Sequence, residues 1–154
     1  MATEIERKFV VEDLSAVLRI PAVTVRQGYL ARGTDEEARV RQIGGEHTLT
    51  VKKGTGLQRS EFEILISAPQ FDAIWPATEG SRIVKTRREV KLPGNWLAHV
   101  DVFDGHLEGL ATVEVEFDDI DTALAFTPPD WFGREVTQDS RYSNKVLSSE
   151  GAPE

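Results

Sequence analysis

Cysteine is absent from the chain. Its absence excludes a disulfide framework, thiolate metal ligands and a cysteine nucleophile, and it suits a reducing cytoplasm. Long apolar runs are missing too: no stretch approaches the roughly 20 residues that a membrane-spanning helix needs. The opening MATEIERKFVV has no basic flank, apolar stretch or small-residue cleavage site of a secretory signal, so a soluble, cytoplasmic protein is expected. Positive charge is in the minority, 18 Lys and Arg against 26 Asp and Glu, for a formal net charge of -8. Such a molecule repels nucleic acid and anionic membranes, so neither is expected as a partner, and any bound anion must be met by a local cluster of cations. No P-loop or dinucleotide fingerprint is present, which leaves phosphate recognition to side chains. Internal repeats, low-complexity blocks and linkers are also lacking.

What the chain does have is alternation. Its 154 residues suit one domain, 1–154, large enough to bury its own core, and 40% hydrophobic with 29% charged residues is a globular composition. Val113, Val115 and Phe117 alternate with Thr112, Glu114 and Glu116, while Ile5 and Phe9 lie opposite Glu4, Glu6 and Lys8. The same period of two runs through 23–32, 37–43, 48–53, 59–66, 82–91 and 96–103, which predicts about eight strands. Gly44-Gly45 and Asp104-Gly105 read as two-residue hairpin turns, with 53–56 and 93–95 as looser connections. Successive hairpins imply antiparallel pairing. Eight strands in so short a chain favour a closed or nearly closed β-barrel over a flat sheet with open edges. Helices are few: 69–78 after Ser67 as cap, 119–126, and 140–147 with Thr137 or Asp139 as cap, before a polar, flexible tail at 148–154. The fold class is therefore α+β, mainly β.

A period of two also sorts side chains by face. Glu4, Glu6 and Lys8 share a face, as do Arg39 and Arg41, then Arg59, Glu61 and Glu63, then Lys85 and Arg87, then Glu114 and Glu116, with Lys52 a single cation in its strand. Two placements are open to these faces: outside in water, or inside a lumen. Like charges at i and i+2 repel slightly, so Glu-x-Glu in three strands calls for a counter-ion. Carboxylates suit the hard cations Mg²⁺ or Mn²⁺, and Lys and Arg suit phosphate oxygens. A ligand that needs both at once is a metal-chelated polyphosphate.

Glu4-Ile5-Glu6-Arg7-Lys8 fits a Glu-x-Glu-x-Lys signature. It is followed in order by Gln27-Gly28-Tyr29-Leu30, Arg39-Val40-Arg41, Leu49-Thr50-Val51-Lys52, Arg59-Ser60-Glu61-Phe62-Glu63, Lys85-Thr86-Arg87, Val113-Glu114-Val115-Glu116-Phe117 and the stretch 136–147. Over about residues 3–147 the chain resembles the CYTH superfamily, the triphosphate tunnel metalloenzymes, in its compact bacterial single-domain form. The resemblance implies an eight-stranded antiparallel tunnel that binds a triphosphate and Mg²⁺ or Mn²⁺. By matching motifs, Lys8, Arg39, Arg41, Lys52, Arg59, Lys85 and Arg87 would hold the triphosphate, with Lys8, Arg39, Lys52, Lys85 and Arg87 also acting catalytically. Glu4, Glu6, Glu61, Glu63, Glu114 and Glu116 would be the metal ligands.

The implied reaction is metal-dependent triphosphatase chemistry, foremost on inorganic tripolyphosphate, giving pyrophosphate and phosphate. An adenylate cyclase of the same superfamily, a thiamine or nucleoside triphosphatase and a non-catalytic polyphosphate-binding module remain alternatives. The short chain leaves little room for a nucleoside-recognition insert, and no helical histidine-containing domain follows the tunnel. A homodimer is compatible with the sequence. His47, His99 and His106 share no metal spacing and read as structural or surface residues, and Trp75, Trp96 and Trp131 as packing residues. Asp101 shares the alternation of His99 and is a candidate for the lumen, while Arg141, Tyr142 and Lys145 are candidates for substrate contact from the C-terminal helix.

Overall fold

The alternating segments form strands close to their expected bounds. The computed structural model describes residues 5–54 and 60–153, so the expected site residues Glu4 and Arg59 lie outside the described residues. Nine strands join one sheet: β1 (Ile5–Val11), β2 (Val23–Arg32), β3 (Glu36–Ile43), β4 (Glu46–Lys53), β5 (Ser60–Ile66), β6 (Arg82–Leu92), β7 (Trp96–Phe103), β8 (Ala111–Phe117) and β9 (Phe132–Glu135). Their order is β5-β4-β3-β2-β6-β7-β8-β1-β9, and among the described residues the pairings are antiparallel. Among the described residues hydrogen bonds do not close the sheet, and β5 and β9 are its edges.

The ninth strand is the addition to the expected eight. Four residues are too few to show a period, and β9 is held against β1 at Phe9↔Glu135 and Val11↔Phe132 with a shift between them. Gly133 permits this approach, since a Cβ there would lie 2.9 Å from the Val10 carbonyl oxygen. Gly44-Gly45 does join β3 to β4 directly, with Gly44 at φ 56°. Asp104-Gly105 does not make the expected two-residue turn: a 3-10 turn at Gly105–Leu107 carries the fully buried Leu107 into the core before β8 begins. An apolar side chain in that connection lengthens it beyond a hairpin.

Three short helices complete the fold: α1 (Ala68–Ile74), α2 (Ile120–Ala125) and α3 (Asn144–Glu150). Ser67 caps α1 through a full capping box with Gln70, and a 3-10 turn continues it over Trp75–Thr78. Asp119 caps α2, Asp139 caps a 3-10 turn at Ser140–Tyr142, and Ser143 caps α3. Because α3 runs to Glu150 with Ser148 buried, the expected tail from Ser148 is helical over its first three residues. Among the described residues no helix is long and apolar enough to cross a membrane.

The two faces of the sheet have opposite chemistry. Phe9, Val90, Val100, Val113, Val115 and Phe117 point to one face, where α2, β9 and Val17 cover them with Ala123, Phe126 and Phe132. Phe126 anchors this cluster, its ring centroid 5.2 Å from Trp96 and 5.3 Å from Phe117. The main core therefore lies on the face away from the charged residues. A smaller cluster of Ile83, Phe103, Leu107 and Leu147 seats α3 on the charged face itself.

Candidate phosphate and metal site

Register places the charged residues side by side. Across β1 and β8, Glu6 is opposite Glu116 and Lys8 opposite Glu114; across β7 and β8, His99 is opposite Glu114. Arg87 is opposite Asp101 between β6 and β7. On the other half of the sheet, Gln27 is opposite Arg41 and Tyr29 opposite Arg39, Arg39 faces Thr50, Glu37 faces Lys52, Thr50 faces Glu63 and Lys52 faces Glu61. All these positions share one face, because residues alternate along each strand and cross-strand partners point the same way. Glu6, Lys8, Arg39, Arg41, Lys52, Glu61, Glu63, Lys85, Arg87, Glu114 and Glu116 thus belong to one continuous surface.

That surface curls. Lys8 and Lys85 stand on strands three positions apart, about 14 Å across a flat sheet. Both nevertheless reach the same C-terminal segment: Lys8 Nζ donates to the Tyr142 carbonyl at 2.6 Å, and Lys85 Nζ to Asn144 Oδ1 at 3.5 Å. The sheet is concave toward its charged face, and the segment leading into α3 sits over one end. A cleft of about 290 Å³ opens there, bounded by Glu6, Lys8, Glu114, Asp139 and Asn144.

Burial is the largest influence on the cations Arg41, Lys85 and Arg87 of this face. Lys85 is 2% exposed; burial lowers the pKa of its ammonium, as do Arg87 and Lys8, against the opposing pull of Asp101. Burial and then the neighbouring Arg39 lower Arg41. Burial is the largest influence on Arg87 as well and lowers it, but the hydrogen bonds to Asp101 and the charges of Asp101, Glu114 and Glu116 together leave Arg87 raised. Asp101 is buried, yet Lys85 and Arg87 draw it down to about 2. Burial raises Tyr29, beside Arg39. Arg39 Nε is a buried donor with no hydrogen-bond partner. Leaving such a donor unpaired costs about 1–3 kcal/mol, more for a charged group, so an acceptor is expected in its place when the site is filled.

The carboxylates fall into two sets. Glu6, Glu114 and Glu116 lie on the adjacent strands β1 and β8, whereas Glu61 and Glu63 lie on the edge strand β5, where Glu63 Oε1 accepts from Thr50 Oγ1 at 2.7 Å. Among the described residues no three carboxylates or histidines converge on one metal position. The donors still fit a hard divalent cation that arrives with its substrate. Glu6 directly opposite Glu116 is a like-charge pair that a cation relieves, and Mg²⁺ is commonly held by one or two carboxylates plus phosphate oxygens and water.

Other expected residues divide. Asp101 does lie on the charged face, tied to Lys85 and Arg87. His99 also faces it, 3.4 Å from Glu89, while His47 packs on Phe71 and His106 Nε2 lies 3.1 Å from the Leu147 carbonyl oxygen. Trp75 stacks on Phe71, and Trp96 and Trp131 pack at the main core. Arg141 turns to Asp139, and Lys145 uses its carbonyl to bind Arg32. Tyr142 meets Lys8 through its backbone. Sequence reasoning missed Gln27, Tyr29 and Asn144, which carry no charge and so gave no signal by face sorting; the Gln27-Gly28-Tyr29 motif was the available clue.

Comparison with known proteins places this geometry. The CYTH domain model matches residues 2–145. An inorganic triphosphatase of Nitrosomonas europaea is 53% identical over 147 residues, spanning 95% of this chain and 97% of the relative. One from Acetivibrio thermocellus is 38% identical over 150 residues, spanning 96% and 94%. The crystal structure of an inorganic triphosphatase superposes with a TM-score of 0.84 at 49% identity, covering 99% of both chains. With the charged concave sheet and its ordered motifs, these matches establish that the chain belongs to the CYTH domain family.

Proposed function

We propose that the protein is an inorganic triphosphatase, hydrolysing tripolyphosphate to pyrophosphate and phosphate on the concave charged face. The observation that carries this reading is Arg39: its Nε is a buried guanidinium donor without an acceptor, on a strand where Arg41 is its neighbour on the same face and Tyr29 and Thr50 are its cross-strand partners. A phosphate oxygen satisfies that donor. The curated relatives at 53% and 38% identity bear the same activity in their names, and each is covered over nearly its whole length.

Lys8, Arg39, Arg41, Lys52, Lys85 and Arg87 bind the phosphate chain from strands β1, β3, β4 and β6, which grips it along its length. Arg59 joins them in this reading. Arg forks orient individual phosphoryl groups, and the lysines Lys8, Lys52 and Lys85 stabilise charge that develops on the leaving phosphate. Glu6, Glu114 and Glu116, with Glu4, are the ligands of Mg²⁺ or Mn²⁺, while Glu61 and Glu63 supply a second carboxylate pair on the far edge. When bound, the metal neutralises substrate charge and lowers the barrier to in-line attack by water. Lys8 must release the Tyr142 carbonyl, and Lys85 the Asn144 amide, as phosphate oxygens take their place.

The test is phosphate release from tripolyphosphate, ATP, thiamine triphosphate and pyrophosphate, each with Mg²⁺, Mn²⁺ or EDTA, for wild type, Lys8→Ala and Arg39→Ala. Metal-dependent turnover favouring tripolyphosphate and lost in both variants is expected. Unchanged activity in the variants refutes the site, and cyclic AMP from ATP refutes the reaction.

A further inference from the structure

Asp101 holds both cations of β6 from the strand beside them. Its Oδ2 lies 2.8 Å from Lys85 Nζ, and its two oxygens accept from Arg87 Nε and Nη2 at 2.8 and 3.0 Å. Register fixes this arrangement, since Arg87 and Asp101 are cross-strand partners and Lys85 precedes Arg87 by two residues, opposite Phe103. Asp101 is 7% exposed, and among the described residues its side chain contacts Lys85 and Arg87, both members of the proposed phosphate-binding row.

This geometry does two things. The side-on fork consumes Nε and one edge of Arg87, leaving Nη1 and the second hydrogen of Nη2 turned away from Asp101, with no freedom to swing. The same carboxylate supplies counter-charge to a Lys85 ammonium that is removed from water and lies near two further cations, Arg87 and Lys8. We infer that Asp101 is the positioning residue of the phosphate site, aiming Arg87 and keeping Lys85 charged while touching no substrate atom. The inference rests on the triphosphatase reading and adds to it a residue outside both the cation row and the Glu-x-Glu pairs.

The groups acting on Lys85 set the sign of the effect. Burial, Arg87 and Lys8 favour the neutral amine, Asp101 favours the ammonium, Asn144 is neutral, and the Phe103 ring centroid lies 5.3 Å from Nζ. Glu114 and Glu116 raise Arg87. Removing the charge of Asp101 while keeping its shape makes Lys85 lose its proton at lower pH. A phosphate-binding cation then disappears as the pH rises.

The experiment compares wild type, Asp101→Asn and Asp101→Glu in the pH dependence of kcat/KM for tripolyphosphate, with calorimetric binding of tripolyphosphate as a readout that needs no turnover. In Asp101→Asn the alkaline limb moves down by about one pH unit or more, so kcat/KM on that limb falls about tenfold beyond any uniform loss. Asp101→Glu restores the limb. A uniform drop with an unmoved profile means that Asp101 is merely structural, and overturns the inference. If Asp101→Asn does not fold, Lys85→Arg decides: its binding curve must lose the alkaline limb, and a wild-type limb overturns the inference. Absence of turnover in wild type sinks the triphosphatase reading instead, while the binding curves still test Asp101.

Discussion

Gly28→Ala tests how the fold holds one wall of the site. Gly28 lies in β2 between Gln27 and Tyr29, two residues that point to the charged face, and its own missing side chain points to the opposite face against Thr78. An added Cβ would stand 2.5 Å from Thr78 Cβ and 2.6 Å from both Cγ2 and Oγ1. Ordinary carbon contacts are about 3.5–4.0 Å, so the deficit is about 1 Å. Rotation of Thr78 cannot relieve a clash with its Cβ. The residue is fully buried, and its hydroxyl is held by the Trp75 carbonyl at 2.7 Å and by Arg82 Nε at 2.9 Å. Either β2 or the Trp75–Thr78 turn must move. Overpacking of this kind costs about 1–3 kcal/mol, and the pinned hydroxyl argues for the upper end, about 3 kcal/mol, less the ~0.5 kcal/mol gained because alanine restricts the unfolded chain. Urea unfolding should therefore find Gly28→Ala about 2–3 kcal/mol less stable, with KM for tripolyphosphate raised as Gln27 and Tyr29 shift. Thr78→Gly, destabilising by itself, should recover part of the loss when combined with Gly28→Ala. Stability within about 0.5 kcal/mol of wild type, or strictly additive effects in the double variant, would refute the close approach.

Further outcomes follow from the electrostatics and the caps. Asp101 is held at about 2, below its ordinary 3.8, so its contribution, about 2 kcal/mol, is present above pH 4 and is lost as the pH falls toward 2; urea midpoints at pH 7 and pH 2.5 should converge in Asp101→Asn relative to wild type. Glu116→Gln removes the like-charge partner of Glu6 and should raise Tm by about 1–3 °C in EDTA while abolishing the rise that Mn²⁺ gives wild type; equal Mn²⁺ responses would remove Glu116 from the metal ligands. Ser67→Ala breaks the capping box of α1 and should cost about 1 kcal/mol in thermal unfolding without altering kcat, since α1 lies off the charged face. Arg7→Gln severs two bonds to Glu135 at 2.7 and 2.9 Å and those to the Ala123 and Phe126 carbonyls, and should destabilise by about 2–3 kcal/mol.

The strands and their charged faces were legible because both follow from a period of two. Arg39, Arg41 and Lys52, or Lys85 and Arg87, are assigned to one side by parity alone, and the register then joins those sides into one surface. Parity does not say which side is concave. That depends on which face receives α2, β9 and Phe126, and such packing partners are distant in sequence. β9 escaped because it is four residues long, and the 3-10 turn after β7 because Asp104-Gly105 imitates a tight hairpin while the buried Leu107 decides otherwise. Capping chemistry was more faithful, since Ser67 and Asp139 act within their own turn and need no tertiary partner.

The least legible part is the division of labour among charges. By sequence, Lys85 and Arg87 are two equivalent cations two residues apart, and Asp101 is one acid among 26. In the fold the three form one unit of net charge +1, with Lys85 and Asp101 buried and Arg87 partly so, while Arg39 lies on another strand with an unmet donor. In the proposed site, a triphosphate bound across both would meet two different kinds of cation: Lys85 and Arg87, already oriented by a carboxylate, and Arg39, whose Nε would gain its acceptor from the ligand. The first kind contributes preorganisation, whose loss appears in geometry and pH dependence; the second contributes binding, whose loss appears in affinity. Substitutions at Asp101 and at Arg39 should accordingly separate in the kinetics, the former moving the pH profile and the latter raising KM across it.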